Sequence, residues 1–190
     1  VIGGVPESFA RAYSVMMTEP RGPIYMCYDA WLQEQPLEQD VPLPPGTAAK
    51  VPARMAADPE ALKRVAEELV KAKRPVILAE FVGRVPEGFH ALVELAETLG
   101  APVYDVNSRL NFPSSHPLNL SMVKDVFADA DLVLCLDTRD WERATTKLVS
   151  ATREVTSIVP AGSKWIDIGF GDLELSSWAM DYQRLAHADL

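Results

Sequence analysis

The sequence has few of the residues that build metal centres, disulfide scaffolds or membrane spans. Its three histidines, His90, His116 and His187, are too scattered to form a metal-ligand motif. Its only cysteines, Cys27 and Cys135, lie in apolar, strand-like runs, where buried and reduced thiols are usual. No apolar run approaches the roughly 18 residues that cross a membrane, and no signal peptide is recognisable. We therefore expect a cytoplasmic chain.

Motifs that bind phosphate or perform hydrolysis are also missing. The sequence contains no GxGxxG pattern, no P-loop and no GxSxG elbow. With 27 acidic and 18 basic residues the formal charge is −9, which would be repelled by a phosphate backbone, so we expect no nucleic-acid partner. The 48% of hydrophobic residues argues against disorder and supplies a substantial core.

The apolar run at residues 76–79 is the feature around which the chain is organised. Its sequence, VILA, has no polar alternation, which is typical of a strand buried on both faces of a parallel sheet. Further strands are predicted at residues 102–106, 132–136 and 165–168, with amphipathic helices between the first ones. This order predicts an α/β fold, namely a doubly wound, mostly parallel, Rossmann-like sheet with helices on both faces.

Capping residues set the bounds of the predicted helices. One helix begins at Asp58 and Pro59, and Gly100 ends another at the position where a positive φ is usual. Shorter helices are predicted over residues 123–128 and from Asp140 to about Val149. The last part of the chain predicts a helical turn near residues 173–178 and a strand near residues 185–186.

A proline-rich stretch divides the chain. Before it, residues 8–18 predict a helix capped by Ser8, and residues 24–28 predict a strand. Prolines then interrupt every pattern, which is typical of an extended connector. The predicted parts are residues 1–32, a linker at 33–57 and a Rossmann-like domain at 58–190. Because the chain begins at Val1 in the middle of a pattern, we expect a fragment of a longer protein.

Candidate site residues follow the predicted strands, because doubly wound sheets bind ligands beyond the carboxyl ends of their strands. Arg139 can hold a phosphate group or pair with the neighbouring Asp140. Asp167 is placed where an acid can bind a ribose hydroxyl. His116, in a long polar loop, is either an acid or base or a local hydrogen-bond partner.

Several segments, taken in order, resemble the middle of thiamine-diphosphate-dependent enzymes of the acetolactate synthase, pyruvate oxidase and benzoylformate decarboxylase group. These segments are RGPIY, KRPVILAEFVGR, LAETLGAPVYDVNSRLNFPSSHPL, ADLVLCLDTRDWERATTKL and KWIDIGFGDL. The resemblance implies that residues 1–32 are the closing helix and strand of a preceding pyrimidine-binding domain. It also implies that residues 58–190 are the central domain of the group.

The same resemblance implies a parent enzyme that uses thiamine diphosphate and Mg²⁺ to act on a 2-oxo acid, as a decarboxylase or an acetolactate-synthase-like enzyme. The catalytic glutamate of the group lies in the preceding domain, and its magnesium–diphosphate motif lies in a following pyrophosphate-binding domain. Neither is found in this sequence. We therefore expect a mainly architectural domain that is not catalytic alone, flanked by both domains within a homodimer or tetramer.

Two alternatives remain open. Some members of the group hold FAD or ADP centrally, where Arg139 and Asp167 match nucleotide contacts, and His116 matches a histidine near the substrate in some decarboxylases. Residues 80–82 argue against a nucleotide, because Glu, Phe and Val replace the glycines that let a diphosphate approach the backbone. The other alternative is a free-standing interaction module, because a fold does not fix a function.

Overall fold

The computed structural model describes residues 2–37, 39–123, 125–170 and 188–190 of the 190-residue chain. The chain separates into two compact units, Val1–Ala56 and Ala57–Leu190. Among the described residues, no helix is both long and apolar enough to cross a membrane.

The described residues of the first unit form two α-helices, joined by irregular segments and short 3-10 turns. Helix α1 spans Val5–Met16 and helix α2 spans Ala30–Glu34. Phe9 of α1 stacks on Tyr28 with ring centroids 5.8 Å apart, and Asp29 caps α2 by accepting a hydrogen bond from the Trp31 amide. None of the described residues of this unit is buried. The unit therefore has no hydrophobic core of its own.

Three predictions for the first unit are wrong. Residues 24–28 do not form a strand, because a strand needs a pairing partner and the described part of this unit contains no other strand. Cys27 is consequently exposed rather than buried. Ser8 does not cap α1, because the helix already begins at Val5 and the Ser8 hydroxyl donates to the Val5 carbonyl at 2.6 Å.

The second unit is built on a parallel sheet. Its strands are β1 at Pro75–Ala79, β2 at Val103–Asp105, β3 at Leu132–Leu136, β4 at Thr146–Val149, β5 at Glu154–Ser157 and β6 at Lys164–Ile168. Four of them form one sheet in the order β2-β1-β3-β6, and every pairing in that sheet is parallel. All five residues of β1 are buried. The predicted α/β fold with a mostly parallel sheet is confirmed.

In the described part of the second unit, three α-helices accompany the strands: α3 at Pro59–Lys71, α4 at Pro86–Leu99 and α5 at Trp141–Thr145. The predicted caps of the first two are confirmed. The Asp58 carboxylate accepts a hydrogen bond from the Ala61 amide at 2.8 Å, with Pro59 in the first turn of α3. Gly100 ends α4 with a φ of 61°, a left-handed conformation that glycine adopts without steric cost.

The sheet is covered on both faces. Helices α3 and α4 cover the first face, where apolar side chains of both helices pack on the strands: Val65, Leu69, Leu92, Ala96, Ile77, Ala79, Leu134 and Ile166. On the second face, Phe127, which precedes β3, and Trp141 of α5 pack on four residues of the strands: Val76, Leu78, Val133 and Cys135. Trp141 also stacks on Trp165 of β6, with ring centroids 5.7 Å apart. Helices therefore lie on both faces, as predicted.

Two predicted helices are wrong in the second unit. The described part of residues 123–128 forms turns rather than a helix, and Phe127, with the partly buried Val126 beside it, packs on the second face there. Helix α5 ends at Thr145, after which β4 and β5 form an antiparallel hairpin. β-Branched residues at 145, 146 and 149 favour a strand over a helix, and Arg153 turns the chain with a φ of 60°. The features predicted near residues 173–178 and 185–186 lie outside the described residues.

Asp131 joins the starts of three strands at the amino edge of the sheet. Its carboxylate accepts hydrogen bonds from the amides of Lys73 and Arg74 at 2.8 and 2.9 Å, and its carbonyl accepts one from Lys164 at 2.9 Å. Burial alone would raise the pKa of the Asp131 carboxyl, but the two amide donors outweigh it and lower the pKa below its ordinary value of 3.8.

We expect Asp131→Asn to destabilise the chain by about 1 kcal/mol at pH 7, because the charged acceptor of two amides is lost in a solvent-screened position. A carboxylate whose folded pKa is lowered contributes stability above its unfolded pKa and loses it as the pH falls through the folded pKa. The deficit of the variant should therefore disappear as the pH falls below 3.8. Urea unfolding between pH 7 and pH 3 measures both effects.

Asp129→Asn is the matched control, because Asp129 is exposed and lies 4.0 Å from Arg74. It should change stability by less than about 0.5 kcal/mol at any of these pH values. Equal stability of Asp131→Asn and the unmodified chain at pH 7 would contradict the role given to Asp131.

Candidate functional site

The strand order places a topological switch point at the carboxyl edge of the sheet, between β1 and β3, and we call this point the crevice. From β1 the chain crosses to β2 on one side, and from β3 it proceeds to β6 on the other side. Neighbouring parallel strands whose connections diverge in this way mark the place where doubly wound folds bind ligands. The residues at that point are Glu80, directly after β1, and Asp137 to Arg139, directly after β3.

The carboxylate of Glu80 fills this crevice. The residue is 9% exposed, and its Oε2 accepts a hydrogen bond from the Arg139 amide at 2.7 Å. Its Oε1 accepts a second hydrogen bond from the Ser108 hydroxyl at 3.1 Å. One side chain therefore joins the loops that follow β1, β2 and β3. The structure brings Glu80 and Arg139 together, as expected for residues after neighbouring strands.

An aromatic ring and two arginines line the crevice next to Glu80. The guanidinium groups of Arg84 and Arg139 lie 4.7 and 5.0 Å from the centroid of the Phe81 ring. Arg84 also forms an ion pair with Asp137, with Nε and Oδ2 2.8 Å apart. The backbone amide of Arg139 binds Glu80 while its guanidinium lies over Phe81. The charges at this edge thus contact groups of the chain itself.

A buried polar network fixes the loop after β2 against the loop after β1. Asn111, which is fully buried, accepts a hydrogen bond from the Gly83 amide at 2.9 Å and donates to Asp105 Oδ1 at 2.7 Å. Asp105 Oδ1 also accepts from the Asn107 amide at 2.7 Å. Because these groups are shielded from water, the network holds both loops in one arrangement.

Asp167 lies inside β6 rather than beyond its end. It is paired in register with Cys135 of β3, and its amide donates to the Leu190 carbonyl at 3.0 Å. Burial, together with the negative charge of Asp167, raises the pKa of the Cys135 thiol well above its ordinary value. Cys135 is therefore a protonated core thiol and not a nucleophile.

His116 lies toward the amino end of β2, away from the crevice. Its Nδ1 accepts a hydrogen bond from the Leu118 amide at 3.2 Å, so its Nε2 carries the proton and faces Glu97 Oε1 at 3.3 Å. The ring also packs edge-on against buried Phe112, with centroids 4.8 Å apart. Both ring nitrogens therefore bind the chain itself, and none of these contacts involves Arg139 or Asp167.

Sequence reasoning missed Asn111 as a site residue, and it placed Ser108 in the stretch after β2 without assigning it a partner. The hydroxyl of Ser108 meets a carboxylate 28 positions away, a pairing that no local pattern reveals. Asn111 did carry a signal, because an amide between Leu110 and Phe112 is typical of a buried hydrogen-bonding group. Within the described residues, no group of three or more His, Cys, Asp or Glu could hold a metal ion.

Residues 62–169, more than half of the chain, match the family model described as the central domain of thiamine pyrophosphate enzymes. Two curated relatives of the chain are named as enzymes. The probable 2-ketoarginine decarboxylase AruI of Pseudomonas aeruginosa is 31% identical over 141 residues, covering 70% of this chain and 24% of the relative. The probable acetolactate synthase large subunit of Methanocaldococcus jannaschii is 29% identical over 126 residues, covering 63% of this chain and 21% of the relative.

A solved structure has the same fold. Benzoylformate decarboxylase from Polynucleobacter necessarius superposes with a TM-score of 0.68 and 21% identity, covering 94% of this chain and 33% of that one. At this identity the match supports the fold alone. The chain spans about a quarter or less of the length of the two curated relatives.

We expect Gly83→Ala to destabilise the second unit by about 2 kcal/mol, because the added Cβ would clash with the Leu110 carbonyl oxygen and force the two loops apart. Urea unfolding followed by circular dichroism measures the change. Gly46→Ala is the control, since its added Cβ meets nothing within 4 Å. A Gly83→Ala variant as stable as Gly46→Ala would show that the loops do not approach this closely.

Proposed function

The chain belongs to the family of thiamine pyrophosphate enzyme central domains, and from that membership we propose that it is the middle domain of a longer enzyme acting on a 2-oxo acid. The relative named as a 2-ketoarginine decarboxylase supports a decarboxylase. The relative named as an acetolactate synthase supports a synthase as the second candidate reaction.

In this proposal thiamine diphosphate and Mg²⁺ bind to the flanking pyrimidine- and pyrophosphate-binding domains of the parent enzyme. The described residues of this chain offer no group of metal ligands that fits Mg²⁺. The second unit would hold the catalytic domains in position within a homodimer or tetramer. Its buried free thiol, Cys135, suits the reducing cytoplasm that we propose as the location.

We assign residues 1–32 to the preceding domain and residues 33–57 to a linker. Support comes from the absence of any buried residue among the described residues of the first unit. Helix α1 carries half-exposed apolar side chains such as Phe9 and Val15, which need a partner surface to leave water. One helix without a core cannot offset its own ordering entropy, so this segment is expected to belong to a larger unit.

The observation that carries the architectural role is the filled crevice. A phosphate placed about 4 Å from the Glu80 carboxylate would be repelled by on the order of 4 kcal/mol at an effective dielectric constant near 20. One charge-assisted hydrogen bond from Arg139 would return about 1.5 to 3 kcal/mol. Repulsion therefore outweighs attraction, which favours a structural domain over a centre for FAD or ADP.

The three candidate site residues have structural roles in this proposal. Arg139 covers Phe81 and closes the crevice, Asp167 belongs to β6, and His116 anchors its loop to Glu97. Arg139 and Asp167 would contact a nucleotide only in an arrangement that moves Glu80 aside. His116 would face a substrate only across an interface with another domain or subunit.

We expect the 190-residue chain to show no saturable binding of thiamine diphosphate with Mg²⁺ in isothermal titration, and no turnover of 2-oxo acids. The protein translated from the complete reading frame should bind both and release CO₂ from a 2-oxo acid. In this proposal, the complete protein contains the two flanking domains that bind the cofactor.

Micromolar binding to the 190-residue chain would contradict the division between domains. A complete protein that binds no thiamine diphosphate would contradict the proposed function itself. A complete protein that binds the cofactor and joins two acyl groups without net release of an aldehyde would favour the synthase.

A further inference from the structure

We infer that the Glu80 carboxylate is an internal anion, which occupies the point in the crevice where a phosphate-like oxyanion would otherwise bind. It acts as a specificity-determining residue that excludes such ligands, and its removal would turn the crevice into an oxyanion site. The inference depends on the geometry of the second unit and not on the activity of any parent enzyme.

The hydrogen bonds of Glu80 have the form of oxyanion recognition. One oxygen accepts from a backbone amide, that of Arg139, and the other accepts from the Ser108 hydroxyl. Backbone amides and hydroxyl groups at the carboxyl ends of parallel strands are also the donors that bind phosphate oxygens in doubly wound folds. The carboxylate itself is nine-tenths buried, so it meets these donors largely out of contact with water.

The donors would remain in place if the carboxylate were removed. Ser108 belongs to the loop that the Asp105 and Asn111 network fixes, and the Arg139 amide follows directly from β3. Removal of the carboxylate would leave both partly buried donors without the acceptor that they have now, so the emptied site would favour a new anion. The guanidinium group of Arg139 over Phe81 adds positive charge nearby.

The test compares the unmodified chain with Glu80→Ala and Glu80→Gln, using inorganic phosphate as the probe. Alanine removes the charge and opens the space, whereas glutamine removes the charge and keeps the shape. We expect affinity to rise in the order unmodified chain, Glu80→Gln, Glu80→Ala. Glu80→Ala should saturate at phosphate concentrations about 100-fold lower than any response of the unmodified chain, and Glu80→Gln at about tenfold lower.

Two readouts follow binding at the same site. Isothermal titration gives the affinity, and the nuclear magnetic resonance signal of the Arg139 amide reports whether phosphate reaches that donor. Sodium chloride at matched ionic strength separates binding from screening. A second titration with ADP distinguishes a site for a free oxyanion from one that also admits a nucleotide, and both results support the inference.

Glu67→Ala is the control, because it removes the same charge from an exposed position on α3. An equal gain in phosphate affinity in Glu67→Ala would overturn the inference, because the gain would then come from the change in net charge alone. Glu80→Ser also empties the space and decides the matter if Glu80→Ala does not fold. If the Arg139 amide of Glu80→Ser responds to phosphate no more than in the unmodified chain, the inference is wrong. That outcome would leave the family membership intact, because the membership depends on the match of residues 62–169 to the family model.

Discussion

The structure depends on the burial of β1 on both faces. Ile77, Leu78 and Ala79 are fully shielded from solvent, so the chain must supply apolar cover above and below them. Helices α3 and α4 cover one face, and Phe127 with α5 covers the other. Parallel neighbours on both edges satisfy the backbone of β1. The divergent connections that follow from this arrangement produce the crevice at the carboxyl edge.

The chain fills that crevice with its own side chains. Glu80 binds donors from the loops after β2 and β3, and Phe81 lies beneath two guanidinium groups. We propose that the same contacts that stabilise three loops also exclude the ligands that doubly wound sheets bind at this point. The stability of these loops and the proposed architectural role have one physical origin, namely the hydrogen bonds that satisfy the buried Glu80 carboxylate.

Local signals predicted the centre of the fold, and non-local pairing explains what they missed. The continuous apolar runs predicted β1 and β3, and Asp58 and Gly100 predicted one end each of α3 and α4. Each of these features depends only on residues that are close together in the sequence. The hairpin at residues 146–157 was missed, because its strands are defined by pairing with each other. Residues 24–28 have strand composition but no described partner. The Glu80 contacts join residues 28 and 59 positions apart, which no periodicity encodes.

We propose that this domain supports a thiamine-diphosphate-dependent enzyme without holding a nucleotide of its own. Mass spectrometry of the small molecules that the purified complete protein releases on denaturation is the decisive measurement. We expect release of thiamine diphosphate and of no FAD or ADP. Release of stoichiometric FAD or ADP would contradict the filled crevice, and release of neither thiamine diphosphate nor a nucleotide, after purification with thiamine diphosphate and Mg²⁺ present, would contradict the proposed function.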